Sequence, residues 1–317
     1  MRILLIKTSS LGDVVHNLPV ATDLARHFPN AVIDWVVEEN FAELPRLHPA
    51  VRRVIPVAIR RWRKALYAPT TWREMAAFRR TVRADAYDAV IDSQGLLKSA
   101  LIASQAIGPR FGHDRQCARE PVAARCYDEQ IFVPRHLHAV ERNRQLAATA
   151  LGYRPEPAVA YGIKAPPLAA PWLSQGDYAV LLTATSRADK EWPEGDWQAL
   201  GMALIATGLR CVLPGGSPAE RTRAGRLATS LGRAVAAPAM NLTDLAGLLA
   251  GAALVIGVDT GLVHLAAALD RPTLALYCGS DPTLTGVLAG PNAVNLGGPG
   301  AAPKAGEVVR RALQLLP

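Results

Sequence analysis

Three short segments of the chain combine hydroxyl groups, glycine or threonine, and a charged side chain. Segment 8–13 ends in Asp13, segment 183–193 contains Lys190, and segment 258–264 opens another predicted helix. A carboxylate can accept the proton of an attacking hydroxyl, whereas a lysine can neutralise a phosphate. These residue types therefore suit a general base and a phosphorylated ligand.

The first segment, Thr8-Ser9-Ser10-Leu11-Gly12-Asp13, lies between a predicted strand and a predicted helix. Its hydroxyls and its glycine would place backbone N–H donors and one carboxylate at the top of a sheet. Asp13 is therefore a candidate general base. Asp is also a frequent helix N-cap, and this loop alone leaves both interpretations open.

The second segment places Lys190 downstream of the hydroxyls of Thr185 and Ser186. A lysine is a compact cation that can neutralise a diphosphate, and hydroxyl groups can donate hydrogen bonds beside it. The alternative is an ordinary solvated lysine in a surface loop. Lys190 taken alone favours this second interpretation.

The third segment begins where an apolar strand ends at Asp259. Thr260 and Gly261 then open a helix whose N-terminal amides would attract a phosphate. Asp259 can instead cap this helix, and His264, on its first turn, can instead pack or cap. The segment predicts a phosphate site and leaves these alternatives open.

A basic strip, residues 52–83, accounts for the net charge of +8, because it holds ten basic residues and one acidic residue. Its centre reads Arg60-Arg61-Trp62-Arg63-Lys64, followed by Leu66 and Tyr67. Guanidinium groups among bulky apolar side chains suit an anionic partner at a membrane surface. We expect the run to lie between the third strand and the next helix, with Trp62, Leu66 and Tyr67 against lipid. The alternative is a solvated face whose aromatic side chains pack inward.

Apolar β-branched runs alternate with helical periodicity along the chain, which predicts an α/β protein with parallel sheets. The predicted strands are 3–6, 31–37, 51–57, 87–92, 178–183, 209–213, 254–258 and 273–278. The predicted helices are 14–27, 72–84, 96–106, 138–151, 194–207, 219–231, 242–249 and 261–269.

The length of 317 residues and the break in this rhythm predict two domains. A proline-rich stretch, 156–172, is the predicted linker between domains 1–155 and 173–317. The last helix is expected to pack back on the first domain.

Several common classes of site are missing from the sequence. No G-x-G-x-x-G follows a predicted strand, no Gly precedes a Lys as in a Walker A loop, and no D-x-D pair occurs. The four cysteines form no C-x-x-C pair. Hydride transfer, P-loop hydrolysis and metal-dependent sugar transfer therefore lose support. No apolar run approaches the ~20 residues of a membrane span, and the short N-terminal run is no signal peptide, so we expect a cytoplasmic protein.

Five motifs occur in order along nearly the whole chain. They are 7–14, 60–64, 118–121, 184–192 with Lys190, and 259–262 with His264. In combination they resemble glycosyltransferase family 9, the heptosyltransferases. Five linked motifs are far more specific than any one of them.

The resemblance implies an inverting enzyme of the GT-B type, in which two Rossmann-like domains with parallel sheets face a central cleft. It implies transfer of L-glycero-D-manno-heptose from ADP-heptose to the first Kdo of Kdo2-lipid A, at the cytoplasmic face of the inner membrane. No metal, no cofactor and no nucleic acid is expected.

The resemblance also assigns roles to residues. Asp13 would be the catalytic base, and Lys190 the second catalytic residue. The donor site would be lined by Thr185, Ser186, Lys190, Glu220, Met240, Asp259, Thr260, Gly261 and His264. The acceptor would contact Ser9, Ser10, Gly12, Arg60, Arg61, Arg63, Lys64, Arg119 and Arg142.

Two alternatives remain at this stage. One is a related core transferase, such as the enzyme that adds the second heptose, since it would share the donor chemistry. The other is a nonenzymatic protein that binds polyanions, although no known nucleic-acid module is present. The chain also departs from the family at Pro214-Gly215-Gly216, where relatives often carry Trp after Pro, which leaves the donor contacts near Gly215 open.

Overall fold

The computed structural model describes residues 1–173, 176–185 and 187–316. It divides into two compact units, Met1–Ile163 and Lys164–Pro317. The division falls inside the proline-rich stretch 156–172. Each unit contains one six-stranded parallel sheet with helices around it.

The first unit has the strand order β3-β2-β1-β4-β5-β6. Its strands are β1 (Arg2–Ile6), β2 (Val32–Glu38), β3 (Val51–Val57), β4 (Ala89–Asp92), β5 (Arg110–His113) and β6 (Glu129–Ile131). Its helices are α1 (Leu11–Val15), α2 (Leu18–His27), α3 (Glu43–Arg46), α4 (Ile59–Trp62), α5 (Pro69–Val82), α6 (Leu97–Ala103) and α7 (Ala139–Leu151). Short 3-10 turns span Glu39–Phe41 and Pro121–Cys126.

The second unit has the strand order β12-β11-β10-β7-β8-β9. Its strands are β7 (Tyr178–Leu182), β8 (Arg210–Leu213), β9 (Ala234–Ala236), β10 (Leu254–Val258), β11 (Thr273–Tyr277) and β12 (Ala293–Gly297). Its helices are α8 (Glu194–Ala206), α9 (Pro218–Leu231), α10 (Leu242–Ala250), α11 (Gly261–Ala268), α12 (Pro282–Thr285) and α13 (Ala305–Leu315). A 3-10 turn spans Ala188–Lys190.

The central strands are continuous apolar runs because helices cover both faces of a parallel sheet. Ile3 to Ile6 of β1 are buried, as is the whole of β10. The strand order reverses between β1 and β4 in the first unit and between β7 and β10 in the second. Ligands bind at such switch points, beyond the carboxyl ends of the strands. The loops that leave these four strands are therefore where each unit's site should lie.

The core of the second unit includes an aromatic pair and the last helix. Trp192 and Trp197 are buried and pack edge to face, with their ring centroids 5.0 Å apart. Helix α13 buries Val308 and Ala312 in this same core. The last helix is thus part of the core of the second unit, and its packing on the first domain stays a prediction.

The predicted helix 14–27 is two helices in the structure. Helix α1 ends at Val15, and α2 starts at Leu18 with Pro19 in its first turn. Proline lacks the N–H donor that a helix interior needs, so it suits a new helix start.

Four short strands, β5, β6, β9 and β12, carry no strong strand pattern and were not predicted from the sequence. They extend the sheets at or next to their edges. Among the described residues, no helix combines the length and the apolar character of a membrane span.

Candidate active site

The Asp13 carboxylate closes the N-terminus of α1. Its Oδ2 accepts hydrogen bonds from the Ser10 backbone N–H at 2.8 Å and from the Ser10 hydroxyl at 3.1 Å. Ser10 is the N-cap and Asp13 the third helical residue, which together form a capping box. Arg119 Nη1 lies 3.6 Å from the same oxygen. Asp13 thus has a capping function without being the N-cap itself, and Gly12 lies beside it within α1.

The loop between β1 and α1, which leads to Asp13, is held in place by the loop that follows β4. The side-chain oxygen of Gln94 accepts hydrogen bonds from the backbone N–H groups of Thr8 and Ser9, at 3.1 and 3.2 Å. Lys7 is buried and donates to the Ser93 carbonyl at 2.7 Å. Burial lowers the pKa of Lys7 to about 8, although the nearby Asp13 charge opposes this shift. These contacts hold the loops together at the switch point of the sheet.

Lys98, in the first turn of α6, was not predicted as a site residue. Its Nζ donates a hydrogen bond to Ser9 Oγ at 3.0 Å. Burial lowers the pKa of Lys98, the Glu38 carboxylate opposes this shift, and the Arg60 and Arg63 charges reinforce it. Glu38 is itself buried and accepts the backbone N–H of Arg60 at 2.9 Å. Lys98 therefore contacts the Ser9 loop close to the charges of Glu38 and the basic strip, a position that only the fold reveals.

The basic run 60–64 lies between β3 and α5, as the sequence predicted. Arg60 places its guanidinium 5.3 Å from the centre of the Phe41 ring. Arg61 is bound to carboxylates on two sides, Glu39 at 3.0 Å and Glu74 at 2.8 Å. Hydrogen bonds to these two carboxylates raise the pKa of Arg61. Arg61 therefore anchors the run in this structure.

Trp62 corrects a prediction from the sequence. Only 8% of its surface is exposed, and its ring nitrogen donates to Glu74 at 2.7 Å. Its ring packs edge to face against Phe78. Trp62 is thus a core residue beneath the strip and does not rest against lipid. Its burial is possible because Glu74 accepts the hydrogen bond of its ring N–H.

The surface beside Trp62 is apolar and basic. Tyr67 is 87% exposed, and Leu66 and Trp72 are exposed as well. Trp72 donates its ring N–H to the Leu66 backbone carbonyl at 2.8 Å, which ties Trp72 to the turn that carries Leu66 and Tyr67. These three residues are called the exposed ridge. Arg63 and Lys64 are exposed next to the ridge along the chain.

Arg119 and Arg142 lie around the loop that follows β5. Arg142 donates to the Cys117 carbonyl at 2.9 Å, and Arg135 donates to the Ala118 carbonyl. Burial lowers the pKa of Arg142, and the charges of Arg135 and Arg119 add to this effect. Three guanidinium groups thus converge on one loop, and one of them reaches Asp13.

In the second unit, Lys190 and Asp259 form an ion pair at the carboxyl ends of β7 and β10. Lys190 Nζ lies 2.5 Å from Asp259 Oδ2, and the Ser280 hydroxyl donates to the same oxygen at 2.6 Å. His264 Nε2 lies 3.7 Å from Asp259 Oδ1. Burial acts to raise the pKa of Asp259, but hydrogen bonds with His264, Lys190 and Ser280 prevail and hold it well below its ordinary range. The fold therefore brings Lys190, Asp259 and His264 together, and it adds Ser280.

Other predicted donor residues surround this pair. The Thr185 hydroxyl donates to the Asp259 carbonyl at 3.3 Å. Thr260 is the N-cap of α11, and its hydroxyl accepts the Leu262 N–H at 3.3 Å, so the N-terminus of this helix lies beside the ion pair. Ser186 lies outside the described residues.

Two further predicted donor residues lie in the first turn of α9 and in the connection between β9 and α10. Glu220 Oε2 accepts the backbone N–H groups of Gly216 and Ser217, at 2.7 and 3.0 Å, which caps α9. Together with Thr185 it lines a cavity of about 590 Å³. Met240 is half-buried in the connection between β9 and α10.

Gly215 leaves no room for a side chain in this structure. A Cβ there would lie 2.8 Å from the Arg221 backbone nitrogen. A larger residue at this position would require the start of α9 to move.

No cluster of three or more His, Cys, Asp or Glu side chains that could hold a metal ion occurs in the described parts of the chain.

Residues 75–311 match the sequence model of glycosyltransferase family 9 (heptosyltransferase). The chain belongs to glycosyltransferase family 9. Lipopolysaccharide heptosyltransferase 1 of Escherichia coli (strain K12), a relative, is 49% identical over 288 residues, 90% of each chain. The protein of the same name from Pseudomonas aeruginosa is 49% identical over 305 residues, 94% of this chain and 84% of that one.

A solved structure described as E. coli heptosyltransferase WaaC with ADP superimposes with a TM-score of 0.89. It is 45% identical and covers 99% of this chain and 98% of its own. The predicted heptosyltransferase family and its GT-B type of fold, with two parallel-sheet α/β units, are thereby confirmed. This family 9 member is a glycosyltransferase.

Proposed function

We propose that this enzyme transfers L-glycero-D-manno-heptose from ADP-heptose to the first Kdo of Kdo2-lipid A, in lipopolysaccharide inner-core biosynthesis. The observation that carries the proposal is the 49% identity, over 90% of both chains, with a lipopolysaccharide heptosyltransferase 1. A WaaC structure with ADP-2-deoxy-2-fluoro heptose, 43% identical over 99% of this chain, supports the donor.

The donor site lies around the Lys190–Asp259 pair. A diphosphate seated at the start of α11 would be attracted by the positive end of the helix dipole near Gly261 and by the positive charge of Lys190. Both groups are in place before any bond breaks, so they stabilise the charge that develops on departing ADP. They supply the electrostatic stabilisation that the leaving group needs.

Asp13 is the general base in this proposal. The contacts described above are all made with Oδ2, which leaves Oδ1 for the acceptor hydroxyl. The hydroxyl oxygen attacks the anomeric carbon, the bond from that carbon to the phosphate oxygen breaks, and ADP leaves with the electron pair. The proton passes to Asp13. Attack from the face opposite ADP inverts the anomeric centre.

The acceptor is held by the cations around Asp13. Kdo carboxylates and lipid A phosphates are anions, and Lys or Arg side chains can bind them by charge-assisted hydrogen bonds. We assign binding of these anions to Arg60, Arg63, Lys64, Arg119 and Arg142, and further hydrogen bonds to the acceptor to Ser9, Ser10 and Gly12. Arg61, with two carboxylate partners, serves to hold the run in place.

The exposed ridge supports a peripheral contact with the cytoplasmic leaflet of the inner membrane. Tyr67, Leu66 and Trp72 offer an apolar and aromatic surface, and Arg63 and Lys64 stand beside it. Aromatic side chains favour the membrane interface, and each Lys or Arg near an anionic leaflet adds about 1 kcal/mol of attraction. The acceptor would thus be reached while its acyl chains stay in the bilayer.

The decisive experiment measures ADP release from ADP-heptose with two acceptors, Kdo2-lipid A and its monoheptosylated product. Release with Kdo2-lipid A alone supports the proposal. Release only with the monoheptosylated acceptor would assign the chain to a later core step. No release with either, combined with binding of heparin-like polyanions, would favour the nonenzymatic alternative.

A further inference from the structure

We propose that Ser280 is a positioning residue for the donor diphosphate, acting on Lys190 through Asp259. This inference rests on the proposed function. The Ser280 hydroxyl donates to Asp259 Oδ2 at 2.6 Å, and Lys190 Nζ lies 2.5 Å from that same oxygen. One carboxylate oxygen therefore divides its hydrogen bonds between a fixed hydroxyl and a cation that can turn to a ligand.

The backbone around Ser280 is built for this contact. A Cβ at position 279 would lie 2.7 Å from the Asp189 carbonyl oxygen, so Gly279 lets the loop after β11 approach the turn Ala188–Lys190 closely. The two loops and the end of β10 meet at Asp259. The close approach of these loops thus places the backbone that carries Ser280 next to Asp259 in the chain without a ligand.

The effect of Ser280 on Lys190 follows from the hydrogen-bond donors that the Asp259 carboxylate needs. Its carboxylate is largely buried, and it needs hydrogen-bond donors to remain charged there. When Lys190 turns toward a diphosphate, the Ser280 hydroxyl, with His264 close by, still satisfies the carboxylate. Without that hydroxyl, Asp259 would hold Lys190 more tightly, and the diphosphate would lose part of its cation.

The test uses ADP alone as the probe, titrated by calorimetry into the full-length chain. We expect Ser280→Ala to weaken ADP binding roughly tenfold, because Asp259, having lost a donor, then competes more strongly with the diphosphate for Lys190. Ser280→Thr keeps the hydroxyl and should bind ADP close to the wild-type affinity. Thr283→Ala is the matched control, since that hydroxyl lies in the same region but donates to Asp281 at 2.7 Å. It should leave ADP affinity unchanged.

A double-mutant cycle separates positioning from a general structural role. In a Lys190→Ala background, Ser280→Ala should cause little further loss, because the cation it positions is gone. An equal tenfold loss in both backgrounds would overturn the inference, as would wild-type affinity in Ser280→Ala itself. If the wild-type chain bound no ADP, the proposed donor site would fail first. If Lys190→Ala weakened ADP binding but Ser280→Ala did not, the proposed donor site would stand and only the role of Ser280 would be wrong.

Discussion

Lys98 Nζ lies 3.0 Å from Ser9 Oγ, and this contact joins the start of α6 to the loop that carries Asp13. The two residues are 89 positions apart in the sequence. We expect Lys98→Met to raise the KM for Kdo2-lipid A about tenfold, because the hydrogen bond that holds Ser9, a proposed acceptor residue, is lost. Lys98→Arg should keep most of the affinity. Steady-state kinetics at varied acceptor will show the effect, and an unchanged KM in Lys98→Met would contradict it.

Replacing Asp13 with asparagine separates the general base from the capping function. Asn keeps the shape and can still accept the Ser10 N–H, but it cannot take the acceptor proton. We expect kcat to fall by about 10² to 10⁴ while ADP-heptose affinity changes little. Asp88→Asn, before the amino end of β4, is the control and should retain activity. Normal turnover in Asp13→Asn would reduce Asp13 to its capping function.

The basic side chains of the run 60–64 should differ in function, because Arg61 has carboxylate partners and the others do not share them. Arg63 and Lys64 are exposed, and the described residues show no ion pair for either. Replacing both with serine should raise the acceptor KM by roughly 25-fold at low salt, at about 1 kcal/mol for each charge, and less at high salt. Arg61→Ser should instead loosen the run and lower its protection from amide hydrogen exchange.

A result in which Arg61→Ser alone reproduced the salt-dependent KM effect, with unchanged hydrogen exchange, would reverse these assignments. ADP-heptose affinity should stay constant in all of these variants, since their positions lie in the first unit and the proposed donor site lies in the second.

The exposed ridge predicts binding to anionic vesicles. Replacing Tyr67 and Trp72 with serine should weaken co-sedimentation with phosphatidylglycerol-containing vesicles several-fold, because it removes two exposed aromatic side chains. Met202→Ser is the matched control, since Met202 is 64% exposed but lies in the second unit. Equal vesicle binding by the double variant and by wild type would exclude the ridge as the contact.

His48 predicts how the unfolding free energy depends on pH. Its Nδ1 accepts the Ala50 N–H at 3.2 Å, so Nε2 carries the proton and donates to Thr22 at 2.9 Å. Burial lowers the pKa of His48 to about 4, whereas an unfolded histidine titrates near 6.5. Between these values the unfolded chain binds a proton that the native chain does not, so the unfolding free energy falls as the pH falls.

The loss from His48 should reach about 3 kcal/mol between pH 7 and pH 4. Urea denaturation across this range will measure it. His48→Gln should be less stable at pH 7 but should depend less on pH, whereas exposed His136→Gln should keep the wild-type slope. The same pH slope in His48→Gln and wild type would show that other groups control it.

Much of the fold follows from local patterns in the sequence. Strands β3 and β10 have the predicted bounds. Strand β10 is a fully buried apolar run that stops before Asp259, whereas β3 contains Arg52 and Arg53 and buries only Ile55 and Val57. Strands β5 and β9 do not follow such a pattern, since four and three residues acquire strand geometry mainly by pairing with a neighbour.

The site shows the same division. Asp13, Lys190 and Asp259 could be found from sequence because each follows a predicted strand, where parallel sheets gather their ligands. Lys98 and Ser280 could not, since their importance comes from contacts with loops distant in the sequence. A hydroxyl two residues after the predicted strand 273–278 is the one local sign of Ser280.

The two sheets share one plan, because the order β9-β8-β7-β10-β11-β12 repeats β3-β2-β1-β4-β5-β6. In both copies a lysine follows the first strand, Lys7 or Lys190, and an aspartate stands at the end of the fourth, Asp92 or Asp259. In the first copy Tyr127 donates to Asp92 at 2.7 Å, while Lys7 donates to other partners. In the second copy the lysine and the aspartate hold each other.

The two sheets therefore differ in how they should tolerate substitution of these lysines and aspartates, although they share one strand order. Changes at Lys7 and Asp92 remove partners from a closed interior network, so their cost should appear as misfolding or lower yield of the protein. Changes at Lys190 and Asp259 act on a pair at the start of a helix, so a well-folded but inactive protein should result. Charged residues in corresponding loops of the two sheets would then tolerate substitution for different reasons, the first pair being limited by folding and the second by catalysis.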